Sequence, residues 1–124
     1  MPAQRILIVE DEPDGADLVR RLLKSKGKEA AVAANAEVAI AALEADPGVY
    51  AAIVIDLALP EMDGFELMTL LRGSEYFAQM PLIAITAFHT PELKVRALES
   101  GFDAYFPKPL DTAAFAASID RFLN

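Results

Sequence analysis

The chain predicts a doubly wound α/β fold: a five-stranded parallel sheet in the order 2-1-3-4-5, with helices on both faces. Three observations predict it. The apolar runs Ile6-Leu7-Ile8-Val9, Ala51-Ala52-Ile53-Val54-Ile55 and Leu82-Ile83-Ala84-Ile85 are continuous rather than alternating, as in parallel strands covered on both faces. These runs stop on polar groups: Glu10-Asp11-Glu12, Asp56 and Thr86 respectively. Helical patterns bounded by caps, prolines and glycines separate the strand patterns, giving strict alternation of strands and helices.

Taken in order, strand one covers about 5 to 9. Pro13 follows, where a first helical turn tolerates proline. The helix there turns Leu18, Val19, Leu22 and Leu23 inward and Arg20, Arg21 and Lys24 outward, and stops at Gly27. A short strand lies near 29 to 33. Asn35 caps a second helix through Val38, Ile40 and Leu43, ending at Asp46-Pro47-Gly48. Strand three ends at Asp56, and the loop from Leu57 to Pro60 leads to a helix starting near Met62-Asp63-Gly64. That helix carries Phe65, Leu67, Met68 and Leu71. Strand four runs from about Leu82 to Thr86, and Thr90-Pro91-Glu92 opens a fourth helix through Leu93 and Leu98 that ends at Gly101. A fifth strand, Phe102 to Phe106, precedes Pro107-Lys108-Pro109. The last helix buries Phe115, Ile119 and Phe122 at i, i+4 and i+7. With right-handed crossovers, this order sets strands one and three side by side at the switch point, where open sheets bind ligands.

At 124 residues the chain reads as one domain, 1–124, with no linker, repeat or low-complexity segment. Its apolar fraction of 54% is swollen by alanine, so part of it is helix-forming surface rather than core. Lys+Arg 11 against Asp+Glu 19 leaves a net charge of −8. Direct nucleic-acid binding needs a basic footprint, so that balance argues against it, and against an anionic membrane surface. The absence of cysteine excludes disulfides and thiolate metal sites. No apolar segment suits a signal peptide or reaches transmembrane length, so the expected location is cytoplasmic.

Glu10, Asp11 and Asp56 meet at the ends of strands one and three in this topology. Each alone reads as part of a solvated acidic rim. Three together repel unless protons or a cation intervene, and hard oxygen ligands without His or Cys suit Mg²⁺. Lys108, just past strand five, is either a surface charge or, held between two prolines, a cation aimed at the acids and an incoming phosphoryl group. Thr86 is either a strand-end threonine or a hydroxyl offered to the same place, with Ala87 leaving room for a ligand. His89, the only histidine, reads as an exposed loop residue rather than a phosphodonor or ligand.

From Arg5 onward the chain resembles the receiver domains of bacterial two-component response regulators. The matching pieces are Ile6-Leu7-Ile8-Val9-Glu10-Asp11-Glu12, Asp56-Leu57-Ala58-Leu59-Pro60-Glu61-Met62-Asp63-Gly64, Ile85-Thr86-Ala87 and Tyr105-Phe106-Pro107-Lys108-Pro109. Thr86 and Lys108 follow Asp56 by 30 and 52 residues, as they do in that family. The resemblance implies the flavodoxin-like (βα)5 fold and a phosphorylation-dependent signalling switch rather than an enzyme. It implies that Asp56 is the phosphoacceptor, that Glu10, Asp11, Asp56 and the Ala58 carbonyl hold Mg²⁺, and that Thr86 and Lys108 bind the phosphoryl oxygens. Tyr105 takes the aromatic switch position that turns inward when Thr86 moves toward the phosphate, and Lys108–Pro109 is expected to be cis. The implied partners are a sensor histidine kinase or histidine phosphotransfer protein, docking near Asp14, Gly15, Leu18 and Pro109, and a downstream protein target. The fourth helix, fifth strand and fifth helix offer a homodimer face.

Other functions fit less well. An aspartyl-phosphate phosphohydrolase wants a second aspartate two residues after the nucleophile, where this chain has Ala58. A pseudo-receiver would lack one of Glu10, Asp11, Asp56, Thr86 or Lys108. A flavin carrier needs a phosphate-cradling loop after strand one, and Asp11-Glu12-Pro13 would repel phosphate. Ala58 and Phe88 border the path of an attacking water and are expected to alter dephosphorylation. No effector follows the fifth helix, so the expectation is a stand-alone regulator or a receiver taken from a hybrid kinase or larger regulator.

Overall fold

The computed structural model describes residues 5–123. The strands are β1 (Arg5–Val9), β2 (Glu29–Ala33), β3 (Tyr50–Asp56), β4 (Leu82–Thr86) and β5 (Ala104–Pro107). The helices are α1 (Pro13–Ser25), α2 (Ala36–Ala45), α3 (Gly64–Arg72), α4 (Pro91–Ser100) and α5 (Thr112–Leu123), with a short 3-10 turn at Pro47–Val49. All neighbouring strands are parallel, in the order β2-β1-β3-β4-β5. This is the sheet predicted from the sequence.

Local chemistry fixes the helix starts. Asn35 Oδ1 accepts from the Val38 amide at 2.9 Å, Thr90 Oγ1 accepts from the Leu93 amide at 3.0 Å, and Asp63 with Glu66 forms a reciprocal capping box. Such a cap typically contributes about 1 kcal/mol. Alternation along the strands then divides the interior into two cores. Leu7, Val9, Ile53, Ile55, Leu82, Ala84 and Tyr105 meet Ala39, Leu43, Leu67, Met68 and Ala97 of α2, α3 and α4. Ile6, Ile8, Val54, Ile83 and Ile85 meet Val19, Leu23, Phe115 and Ile119 of α1 and α5. Each large side chain fully buried in this way is worth about 1.5–3 kcal/mol of transfer free energy.

Three expectations needed correction, the smallest being Phe122, which α5 leaves half-buried beside the buried Phe115 and Ile119. In α1 the buried line is Ala16, Val19 and Leu23, while Leu18 is 42% exposed. Leu18 lies about 100° around the helix from Val19, and the small Ala16 fills the seam above Val19. Strand five begins at Ala104 rather than Phe102 and continues through Pro107. Phe102 is buried as a strand residue would be, but it packs edge-on against Phe65 with ring centroids 5.8 Å apart. Pro107 sits opposite Thr86 on an edge strand, and the next amide, that of Lys108, donates to the Thr86 carbonyl at 2.7 Å. An edge strand accommodates proline where no ladder donor is needed.

Arg72 closes the opposite end of the sheet. Its guanidinium donates to the carbonyls of Gly101 (2.7 Å), Ala78 (3.0 Å) and Met80 (2.7 Å), and to Asp103 Oδ2 (2.9 Å). Asp103 Oδ2 in turn accepts from the Leu82 amide at 2.8 Å, so one side chain ties the end of α3 to the starts of β4 and β5. Gly101 has φ 144°, and a Cβ there would lie 2.7 Å from Met68 Sδ, so this helix exit requires glycine.

Candidate functional site

The site lies at the carboxyl ends of β1, β3, β4 and β5. Glu10 follows β1 directly and its amide donates to the Ala33 carbonyl at 3.0 Å, which holds it against β2. Asp56 is the last residue of β3, aligned with Ile85 of β4. Carboxylate oxygens of Glu10, Asp11 and Asp56 all lie within 4.8 Å of one another. Glu10 and Asp56 are buried, whereas Asp11 is exposed. Lys108 reaches across from beyond β5: its Nζ donates to Asp56 Oδ2 at 2.9 Å and to Glu10 Oε1. The other Asp56 oxygen, Oδ1, accepts from the Ala58 amide at 2.8 Å. The Lys108–Pro109 peptide is cis.

Burial decides how these acids share charge. Burial, with a hydrogen bond shared with Asp56, pushes the Glu10 carboxyl up to about 7. Burial acts on Asp56 too, but hydrogen bonds from Glu10, Lys108 and the Ala58 amide outweigh it and hold that carboxyl below its usual range. Burial also opposes the Lys108 charge, yet its hydrogen bonds to Glu10 and Asp56 carry it above the ordinary lysine value. Of the two acids, Glu10 is thus the easier to protonate and Asp56 the easier to ionise.

The donor set suits a hard divalent cation. Glu10 Oε2 is buried and has no hydrogen-bond partner among the described residues. A buried carboxylate oxygen left without a donor is costly, and a cation among the three carboxylates would satisfy it. Gly15 keeps this corner open. A Cβ at residue 15 would collide with Glu10 Oε1 and come within 3.3 Å of its Cδ. The sequence offered one signal for that role, a glycine one turn into the helix that follows the acids.

Thr86 is buried at the end of β4, and its Oγ1 accepts from the Phe88 amide at 3.0 Å rather than facing Asp56 in a hydrogen bond. Tyr105, on the α4 side of β5, already lies inward at 6% exposure. Its hydroxyl pairs with His89 Nδ1 at 2.9 Å. His89 is exposed, as expected, but it is not idle. Of the positions expected to meet a partner, Asp14, Leu18 and Pro109 are exposed and Gly15 is half-buried.

The family model of the response regulator receiver domain matches residues 6–120. The chain is 42% identical over 117 residues to an uncharacterised 14.6 kDa protein of Leptolyngbya boryana, covering 94% of this chain and 88% of that one. It is 36% identical over 107 residues to the transcriptional regulatory protein TcrA of Mycobacterium tuberculosis, matching 86% of this chain but only 41% of that regulator. Among solved structures, it is similar to the receiver domain of a signal transduction histidine kinase from Syntrophus aciditrophicus (TM-score 0.86, 32% identity, 98% of this chain and 90% of that one). It is also similar to the receiver domain of the sensor histidine kinase PA1611 from Pseudomonas aeruginosa, solved with a magnesium ion coordinated in its active-site cleft (TM-score 0.84, 29% identity, 97% of each). An open parallel sheet with an acid pocket and a lysine at its carboxyl edge is the regulatory module of two-component signalling. The chain belongs to the response regulator receiver domain family.

Proposed function

We propose that the chain, read as one receiver domain over 1–124, takes a phosphoryl group onto Asp56 from a phosphohistidine of a sensor histidine kinase or histidine phosphotransfer protein. The observation that carries this reading is the Lys108 ammonium set on Asp56 Oδ2 at 2.9 Å and on Glu10. Asp56, held below its usual range by its hydrogen bonds, would be the nucleophile. Its carboxylate oxygen attacks phosphorus, the phosphorus–nitrogen bond breaks, and its electron pair returns to the imidazole. Lys108 holds Asp56 in place and meets the charge of the incoming phosphoryl oxygens. Thr86 would donate a hydrogen bond from its hydroxyl to one of those oxygens. Glu10, Asp11, Asp56 and the Ala58 carbonyl would hold Mg²⁺, which when bound neutralises charge on the transferring group. The PA1611 receiver, with its magnesium ion, supports that part of the reading.

The product is an acyl phosphate whose added charge biases Thr86, the 87–90 loop and the face formed by α4, β5 and α5. That face would carry the output to a downstream protein and offers a surface for a homodimer, while the kinase or phosphotransfer partner would dock over Asp14, Gly15, Leu18 and Pro109. The domain acts as a regulator that assists its own phosphorylation and dephosphorylation rather than as an enzyme turning over a substrate. No described helix is long and apolar enough to cross a membrane, and we take the cytoplasm as the site of action. The experiment is incubation with acetyl phosphate and Mg²⁺, followed by mass mapping. Added mass on Asp56 in wild type and none in Asp56→Asn is expected; equal labelling of both would sink the reading.

A further inference from the structure

The loop after β4 is tied to β5 by a contact that phosphoryl chemistry does not need. His89 immediately precedes Thr90, the residue that caps α4 through the Leu93 amide. Its imidazole leaves the loop and meets the Tyr105 hydroxyl at 2.9 Å, the two rings inclined at 52° with centroids 5.5 Å apart. Tyr105 is buried, on the inward side that the family resemblance assigns to the switch aromatic. Ala84 pairs with Tyr105 in the β4–β5 ladder, which puts Tyr105 and Thr86 on one face of the sheet, one step apart. Thr86 Oγ1, at the other end of the loop, is tied to the Phe88 amide.

We infer that His89 is a positioning residue that latches Tyr105 inward, joining the start of α4 to β5 and so setting the α4–β5–α5 face. This rests on the proposed switch role of that face, but the latch itself can be measured with no phosphoryl group added. A hydrogen bond between an exposed ring and a buried hydroxyl is worth enough to shift a two-state side chain severalfold. When His89 is removed, Tyr105 loses its only side-chain hydrogen-bond partner among the described residues, and its hydroxyl finds water by turning outward.

The three tyrosines make the test internally controlled: Tyr50 is 7% exposed, Tyr76 is 76% exposed and Tyr105 is 6% exposed. Tyrosine nitration of the intact chain, mapped by mass spectrometry, reads each separately. In the wild type, Tyr105 is expected to react as slowly as Tyr50. In His89→Ala its rate is expected to rise about fivefold, the shift one ordinary hydrogen bond supports, with Tyr50 and Tyr76 unchanged. Hydrogen exchange gives a second measurement: the amides of Thr90, Glu92 and Leu93 should exchange faster in both His89→Ala and Tyr105→Phe, since each removes one partner. Tyr105 staying as protected as Tyr50 in His89→Ala overturns the latch, whatever the exchange rates show. Acetyl phosphate then separates the two readings. Failure to label Asp56 removes the proposed phosphotransfer and leaves the latch standing, whereas labelling with no change at Tyr105 in His89→Ala removes the latch alone.

Discussion

Lys108 and Asp56, 52 residues apart in the chain, meet at 2.9 Å through one Nζ–Oδ2 hydrogen bond, and the same ammonium also reaches Glu10. In the proposed phosphotransfer, the lysine would thus share its donors with an incoming phosphoryl oxygen. Lys108→Met removes the donor while keeping most of the stem. It is expected to slow labelling of Asp56 by acetyl phosphate about a hundredfold, the usual cost of one oxyanion-stabilising donor. A stopped-time mass assay measures it, and an undiminished rate would show that the lysine only neutralises the acids.

Glu10 gives the fold a pH signature. Its folded value of about 7 lies above the ordinary 4.5. Between those values the folded chain keeps a proton that the unfolded chain releases, so stability falls as pH rises through that window. The lowered Asp56 acts below the window, and the raised Lys108 above it. Urea melts in EDTA from pH 4.5 to 7.5 should show wild type losing at most about 3 kcal/mol relative to Glu10→Gln. Parallel curves for the two proteins would contradict the assignment.

Gly15→Ala probes the same acid from the side. The new methyl meets only the movable end of the Glu10 side chain, so the melting temperature should change little. The carboxylate is pushed from its place, and Mg²⁺ affinity should drop roughly tenfold, as for other displaced ligand geometry. Titration calorimetry checks this; unaltered affinity would mean that Glu10 is not a ligand.

Ala58 contributes an amide to Asp56 Oδ1 but no polar side chain. An asparagine there would offer a donor and an acceptor to a water approaching the acyl phosphate. Ala58→Asn should therefore shorten the life of the phosphorylated form by up to about tenfold. Following the decay of labelled protein by mass gives the answer, and an identical lifetime removes residue 58 from the path of water.

Arg72 should matter to stability alone. Its guanidinium serves three backbone carbonyls at 3.0 Å or closer and Asp103, and truncation strands them together. Arg72→Ala is expected to cost about 3 kcal/mol in denaturant melts at unchanged Asp56 labelling per folded molecule. Lost labelling in the folded variant would contradict that division.

Much of this was legible because it is written in patterns of period and position. Continuous apolar runs gave the strands, and the residues that end them gave Glu10, Asp56 and Thr86 at one edge. Leu18 misled because an alanine can take a core seam as well as a leucine when the facing strand is close. Phe102 misled because burial marks a strand and a helix exit alike. Arg72 and His89 were illegible for another reason. One binds main-chain carbonyls, which carry no residue identity, and the other finds Tyr105 only after β4 and β5 have paired in register.

Because neighbouring residues of each strand serve opposite interiors, chain length inside β3 is not negotiable. Deleting a single residue between Tyr50 and Ile55 would exchange the two sets of side chains and rotate Asp56 out of reach of Lys108. An added or lost residue is better absorbed in a connection such as 73–81, at the end of the sheet away from Asp56.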